Sequence, residues 1–264
     1  MKVATVVRTE MATPEAEPAV DRAVDQSAAL RLGLIGGFEL NAGSRIVQLP
    51  LGTRRVLAFL ALHDRAMQRH HVAGSLWLNT DEEKAGACLR SALWRVHLAG
   101  LDVVDSSDGC LRIAAGVAVD AREAIEAATD LTDGLPERRS ERALIELFGR
   151  DLLPDWYDDW AMVARERFRQ LRLHALEQLC DRIAASGDFA RAIQAGLAAV
   201  AGEPLRESAH VALMKAHLAE GNRVEALRQY RLYEQLVTSE LGVSPSPRIR
   251  DLIGEAAPAS VRHR

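Results

Sequence analysis

The chain is poor in cysteine. Cys88, Cys110 and Cys180 are its only three, scattered through 264 residues. That spacing excludes both a disulfide framework and a cysteine-based metal knuckle, and it suits a reducing compartment. Long apolar runs are missing as well. No stretch approaches the roughly 20 apolar residues of a membrane span. The opening residues, "MKVATVVRTEMATPEAEPAV", hold no apolar core of signal-peptide length, so a cytoplasmic protein without membrane contact is expected. Nor is there an excess of positive charge. The 33 Lys+Arg against 37 Asp+Glu leave a formal net charge of −4, which argues against an indiscriminate polyanion binder. Any nucleic-acid contact must use a local basic face. The middle of the chain is the place to look, because Leu30 to Asp120 carries ten basic against nine acidic residues while the segments on either side are net acidic.

Chemistry-bearing motifs are sparse. "GLIGG", Gly33 to Gly37, lacks the Gly-Lys-Ser/Thr ending of a phosphate loop and reads as a strand break. His70 and His71 are adjacent on a predicted helix and so diverge by about 100°; with His63 they find no carboxylate to complete a metal site. Cys180 falls inside a packed helix and reads as core. No nucleophile–base pair can be named. The expectation is a protein without cofactor or metal that is not an enzyme.

The chain is instead rich in elements that name a fold. After an aperiodic stretch over 1–29, expected to be a disordered tail, Leu30, Leu32 and Leu34 alternate, Gly36-Gly37 interrupts, and Phe38 and Leu40 resume. A turn over Asn41 to Ser44 and a short strand from Ile46 to Leu49 complete a small antiparallel sheet. Helices follow over "TRRVLAFLALH" and roughly Arg69 to Trp77. A third spans "TDEEKAGACLRSALWRVHLAG", Thr80 to Gly100, with Thr80 and Glu83 in capping-box spacing and Gly100 placed for a left-handed stop. "DVVDSSDGCLRIA" then reads as a hairpin turning at Ser106 to Gly109. Sheet, three helices and hairpin describe a winged helix-turn-helix.

On a helical wheel the third helix hides Ala85, Leu89, Leu93 and Val96 on one stripe. Lys84, Ala87, Ser91, Trp94, Arg95 and Leu98 gather at the opposite pole, with Arg90 and His97 on one flank. Arg and Lys reach guanine edges or phosphates, Ser bonds base or backbone, and the small Ala87 permits close approach. Lys84, Ala87, Arg90, Ser91, Trp94 and Arg95 are therefore candidate DNA contacts. Arg54 and Arg55, which with Thr53 open the first helix, and Arg112 in the wing are candidates for a basic rim around them, since helix N-termini favour phosphate.

From residue 121 the pattern is helical throughout. "SGDFARAIQAGLAAV" and "EGNRVEALRQYRLYE" are similar at a fixed offset: Gly187 and Gly221, Ala192 and Ala226, and Leu179 and Leu213 each lie 34 residues apart. That period is the tetratricopeptide signature, in which stacked helical hairpins bury each other's apolar stripes. Pro204 closes the first unit. "DWYDDW", Asp155 to Trp160, is expected to cap the first helix of the array, with stacking on a ligand as the alternative.

The segment "RRVLAFLALHDRAMQRHHVAGSLW…KAGACLRSALWRV" resembles the OmpR-like DNA-binding domain of the SARP (AfsR-like) family of bacterial regulators. The stretch from "LLPDWYDDW" to "SPSPRIRDL" is similar nearly end to end to that family's bacterial transcriptional activator domain. The pattern departs from the family at His97, where arginine is common, and at Cys110, where an aromatic is common. The resemblance implies a mainly α protein: a winged-helix domain over 30–120 and a tetratricopeptide-like activator domain over 121–253, followed by a tail over 254–264. It further implies an activator of secondary-metabolite genes that binds direct repeats in double-stranded promoter DNA, as a homodimer there, and contacts RNA polymerase holoenzyme. Such a protein is cytoplasmic and nucleoid-associated when bound. A rival reading stays open, in which the array is a protein-interaction adaptor and the winged helix no longer binds DNA.

Overall fold

The structure, a computed structural model, describes residues 29–134 and 139–256. The expected N-terminal tail up to residue 28 lies outside the described residues, as do 257–264. The first unit begins with three antiparallel strands, β1 (Leu30–Gly33), β2 (Glu39–Ala42) and β3 (Arg45–Ile46). Their alternation buries Leu32 and Leu40 completely on one face, each worth roughly 1.5–3 kcal/mol. Helix α1 (Leu51–His63) follows, then the two-residue β4 (Met67–Gln68), α2 (Arg69–Leu76) and α3 (Glu82–Leu98). Strands β5 (Val104–Ser107) and β6 (Cys110–Ile113) form the expected hairpin, and β4 pairs with β6 on its other edge. The turn residues Asp108 and Gly109 both have positive φ, 51° and 73°, as a two-residue turn of the I′ type requires. Strand β7 (Val117–Val119) returns to run parallel to β1, giving the order β3-β2-β1-β7. This parallel pairing was not anticipated from the sequence.

Helices α4 (Asp120–Asp133) and α5 (Glu141–Phe148) lead into the array: α6 (Asp159–Ser186), α7 (Phe189–Gly202), α8 (Glu207–Ala219), α9 (Arg223–Leu241) and α10 (Pro247–Ala256). The fold is mainly α, a winged helix-turn-helix followed by stacked helical hairpins. Helix α10 runs past the expected domain end, so Gly254 to Ala256 are helical rather than tail. The 34-residue repeat is visible in the backbone. Gly187 and Gly221 take φ of 89° and 87°, and the next residues, Asp188 and Asn222, each cap the following helix by accepting from the amides of Arg191 and Glu225. Ala192 and Ala226 are fully buried at the crossings.

One apolar core runs from β1 through α1, α3, α4 and α6 into α8, and a smaller one joins α8, α9 and α10. The winged helix and the array are joined by backbone as well. Gly36 N–H donates to Asp151 (2.7 Å) and Leu153 N–H donates to Leu34 (2.9 Å), so the segment before α6 extends along the end of β1. The buried Asp120 carboxylate accepts from the amides of Leu34 (2.8 Å) and Ile35 (3.0 Å), and burial pushes its pKa up. "DWYDDW" completes this seam. Trp156 stacks on Phe38 at 6.0 Å and meets Trp160 edge-on at 5.9 Å, while Trp160 meets Phe59 of α1 edge-on at 5.3 Å. Asp158 stands at the N-cap of α6 but makes no side-chain cap bond; its carboxylate pairs with Arg55 of α1. The motif therefore clasps the two units together more than it caps a helix.

Candidate nucleic-acid interface

Helix α3 is built to present one face outward. Its N-cap is Asp81, not Thr80: the Asp81 carboxylate accepts from the Lys84 amide at 2.8 Å, while the Thr80 hydroxyl donates to the Trp77 carbonyl at 2.9 Å. A carboxylate is the stronger acceptor and also complements the helix dipole. The Lys84 side chain and amide together hold the Asp81 carboxyl below its usual range. The helix ends in a left-handed glycine as expected. Gly100 has φ of 68°, its amide donates to His97 and the Leu101 amide to Val96, closing a Schellman motif.

The buried stripe is Ala85, Leu89, Ala92 and Val96. Leu93, expected in that stripe, is only half-buried and flanks it. The cause is the crossing with α1, where the buried Thr53 hydroxyl lies 3.5 Å from the Ala92 carbonyl.

The six candidates on α3 share the solvent face. Lys84, Ala87, Arg90, Ser91, Trp94 and Arg95 are all exposed, Trp94 by 58%. Arg90 and Arg95 have no hydrogen-bond or ion-pair partner among the described residues. Lys84 pairs with Asp81 at 2.8 Å and Arg112 with Asp105 across the wing at 3.1 Å. Both pairs are exposed and screened by solvent, so an incoming phosphate can displace either carboxylate.

The rim expected from α1 is organised differently. The helix starts at Leu51, two residues before Thr53, and the amides of Thr53 and Arg54 both donate to the Pro50 carbonyl. Arg54 donates to the Leu49 carbonyl at 2.6 Å. Arg55 donates to the Leu76 carbonyl at 2.7 Å besides pairing with Asp158. These two guanidiniums are engaged in bonds within the fold. A cation that sequence reasoning passed over, Arg69, is better placed. It opens α2, its amide donates to Gly109 at the wing tip, and its guanidinium reaches Ser106 at 3.1 Å. Its position follows from β4 pairing with β6, a two-residue strand too short to show periodicity. Among the described residues no group of three or more His, Cys, Asp or Glu is placed to hold a metal, and no helix is long and apolar enough to cross a membrane.

Residues 111–256 match the family described as "Bacterial transcriptional activator domain". The match begins in β6 and runs through the array, more than half of the chain. The chain belongs to the bacterial transcriptional activator domain family. That membership is in line with the sequence resemblance. No curated protein matches it. Among solved structures it is similar to Mycobacterium tuberculosis EmbR, recorded in complex with a low affinity phosphopeptide, at 19% identity and a TM-score of 0.66. The alignment covers 87% of this chain and 65% of EmbR, and at that identity it speaks for the shared fold alone. As a bacterial transcriptional activator domain protein, the chain joins the family's helical array to a winged helix through one continuous core.

Proposed function

We propose that this regulator binds double-stranded promoter DNA by laying the outward face of α3 in the major groove. The domain division at about residue 120 then separates a DNA reader from a protein-binding array. The carrying observation is that Lys84, Ala87, Arg90, Ser91, Trp94 and Arg95 share one exposed face with no duty in the core, on a helix packed against α2. A helix about 10–12 Å across fits a groove about 12 Å wide. In this reading Arg90 and Arg95 meet bases or phosphates, Ser91 bonds an edge, Trp94 presses on the sugar-phosphate wall, and Lys84, Arg69 and Arg112 neutralise phosphates. The array engages RNA polymerase holoenzyme or a second protomer on direct repeats, activating a secondary-metabolite gene cluster such as an antibiotic biosynthesis locus. The protein works in the cytoplasm, at the nucleoid when bound.

One observation favours the adaptor reading. Arg54 and Arg55 brace the fold, and Lys84 and Arg112 already face carboxylates, which leaves few free cations. A gel-shift titration with genomic promoter fragments at two salt concentrations separates the readings. DNA binding through phosphates predicts a log–log slope of about −0.9 per neutralised phosphate. Affinity that is absent, or insensitive to salt, leaves the adaptor.

A further inference from the structure

A cavity of about 580 Å³ opens along the seam between the winged helix and the array. Its size lies within the roughly 300–1,000 Å³ typical of small-molecule sites. Leu62 of α1, Ile125 of α4, and Val163, Phe168 and Leu171 of α6 give it apolar walls. Ile125 and Val163 stay 48% and 54% exposed there, in a chain whose other α4 and α6 apolar residues are mostly packed. Four polar groups interrupt the walls, the first being His63 of α1, whose Nδ1 lies 2.7 Å from the Phe59 carbonyl. Trp160 carries a buried indole N–H with no acceptor among the described residues. Asp159 stands at the first turn of α6 and Arg167 eight residues on, about 12 Å along the helix axis. Arg167 is exposed and, among the described residues, has neither hydrogen bond nor ion pair.

We propose that this seam cavity binds an amphipathic monoanion, a medium-chain or aryl carboxylate, with its apolar body between α1, α4 and α6 and its carboxylate on Arg167. Apolar walls supply affinity in proportion to the area withdrawn from water, and the lone guanidinium selects the charge of the head. Asp159 repels an anion at the opposite end and so orients the ligand. The site touches none of the candidate DNA contacts, and its occupancy does not depend on whether α3 reads DNA.

The test uses the full chain with decanoate, decanol and decylamine, each below its micelle threshold, followed by titration calorimetry and thermal shift. Decanoate is expected to bind tightest and to raise the melting temperature. Arg167→Gln should weaken decanoate about tenfold, the loss of one charge-assisted contact, and bring it to the level of decanol. The unliganded Arg167→Gln protein should melt as wild type, because that side chain has no partner to lose. Val163→Asp should weaken decanoate by repulsion at the mouth. Equal binding of the three probes, or decanoate binding untouched by both substitutions, would overturn the proposal. So would absence of saturable binding. Binding that appears only after removal of residues 1–28 would overturn it too, by making the chain's own segment the occupant.

Discussion

The same substitution, glycine to alanine, should have opposite signs at two places in this fold. Gly202 ends α7 beneath the seam, and a Cβ built there falls 2.8 Å from both Arg172 Nη1 and Leu173 Cδ2. Neither neighbour is free to give way. Leu173 is fully buried, and Arg172, 4% exposed, donates to the Phe148 carbonyl at 3.3 Å and pairs with Asp151 at 3.0 Å. Asp151 in turn accepts from Gly36 of the winged helix. Overpacking costs about 1–3 kcal/mol, and loosening a buried charge-assisted hydrogen bond adds roughly 1.5–3 kcal/mol. Because relaxation shares the two costs, Gly202→Ala should lose about 2–4 kcal/mol net, a drop on the order of 10 °C in Tm. Gly74, exposed within α2, has nothing within 4 Å of a built Cβ. There alanine gains helix propensity, so Gly74→Ala should stabilise by up to about 1 kcal/mol. Thermal melting of the two variants beside wild type is the assay. A neutral Gly202→Ala would refute the claim that Arg172 is locked, and with it the rigid seam.

Leu89 is 2% exposed at the centre of the α3 stripe, so Leu89→Ala should cost about 2–5 kcal/mol; half-buried Leu93→Ala should cost less, and denaturant melts rank the two. Ala226→Leu, at a fully buried crossing, should cost about 1–3 kcal/mol by overpacking, and an unchanged Tm would contradict the stacked-hairpin arrangement. Buried His210 bonds the Pro204 carbonyl through Nε2 (2.8 Å) and faces the Gln229 amide through Nδ1 (2.7 Å), and burial depresses its pKa below 6.5. The unfolded chain therefore binds the extra proton first. His210's contribution is complete above pH 6.5 and is lost as pH falls below it towards the depressed value. Melting curves between neutral and mildly acidic pH should show this loss, and His210→Gln should flatten it.

What the sequence revealed and concealed divides by range. The solvent face of α3, its glycine stop, the wing turn and the 34-residue repeat are set by neighbours within a turn or a hairpin, where periodicity and capping act. Thr80–Glu83 and Asp81–Lys84 both satisfy a cap spacing, and only the fold shows that the Asp81 side chain turns in. A wheel gives the spacing but not the centre of the buried stripe, which lies on the Ala92 side of Leu89 and leaves Leu93 at its edge. The β1–β7 pairing, the strand-like join of 34–36 to 151–153 and the Arg55–Asp158 pair link residues about a hundred positions apart. Nothing local encodes them. Arg55 is such a case, because its partner Asp158 lies in the other unit.

If α3 reads DNA, loss of Arg95 should weaken binding without unfolding the protein. Arg95 is exposed and unpaired, so Arg95→Ala should leave the folding stability within about 0.5 kcal/mol of wild type. The decisive measurement is titration of wild type, Arg95→Ala and the Lys84→Ala/Arg90→Ala/Arg95→Ala triple variant on a promoter duplex and a scrambled duplex, at several salt concentrations. Arg95→Ala should cost about 1–3 kcal/mol on the promoter and relax preference at one base pair if it meets a guanine edge. If it meets a phosphate, both duplexes should weaken alike and the salt slope shrink by about one. The triple variant should fall to a shallow slope with little discrimination. A triple variant that binds both duplexes as wild type does, with the same slope, would show that α3 does not read DNA.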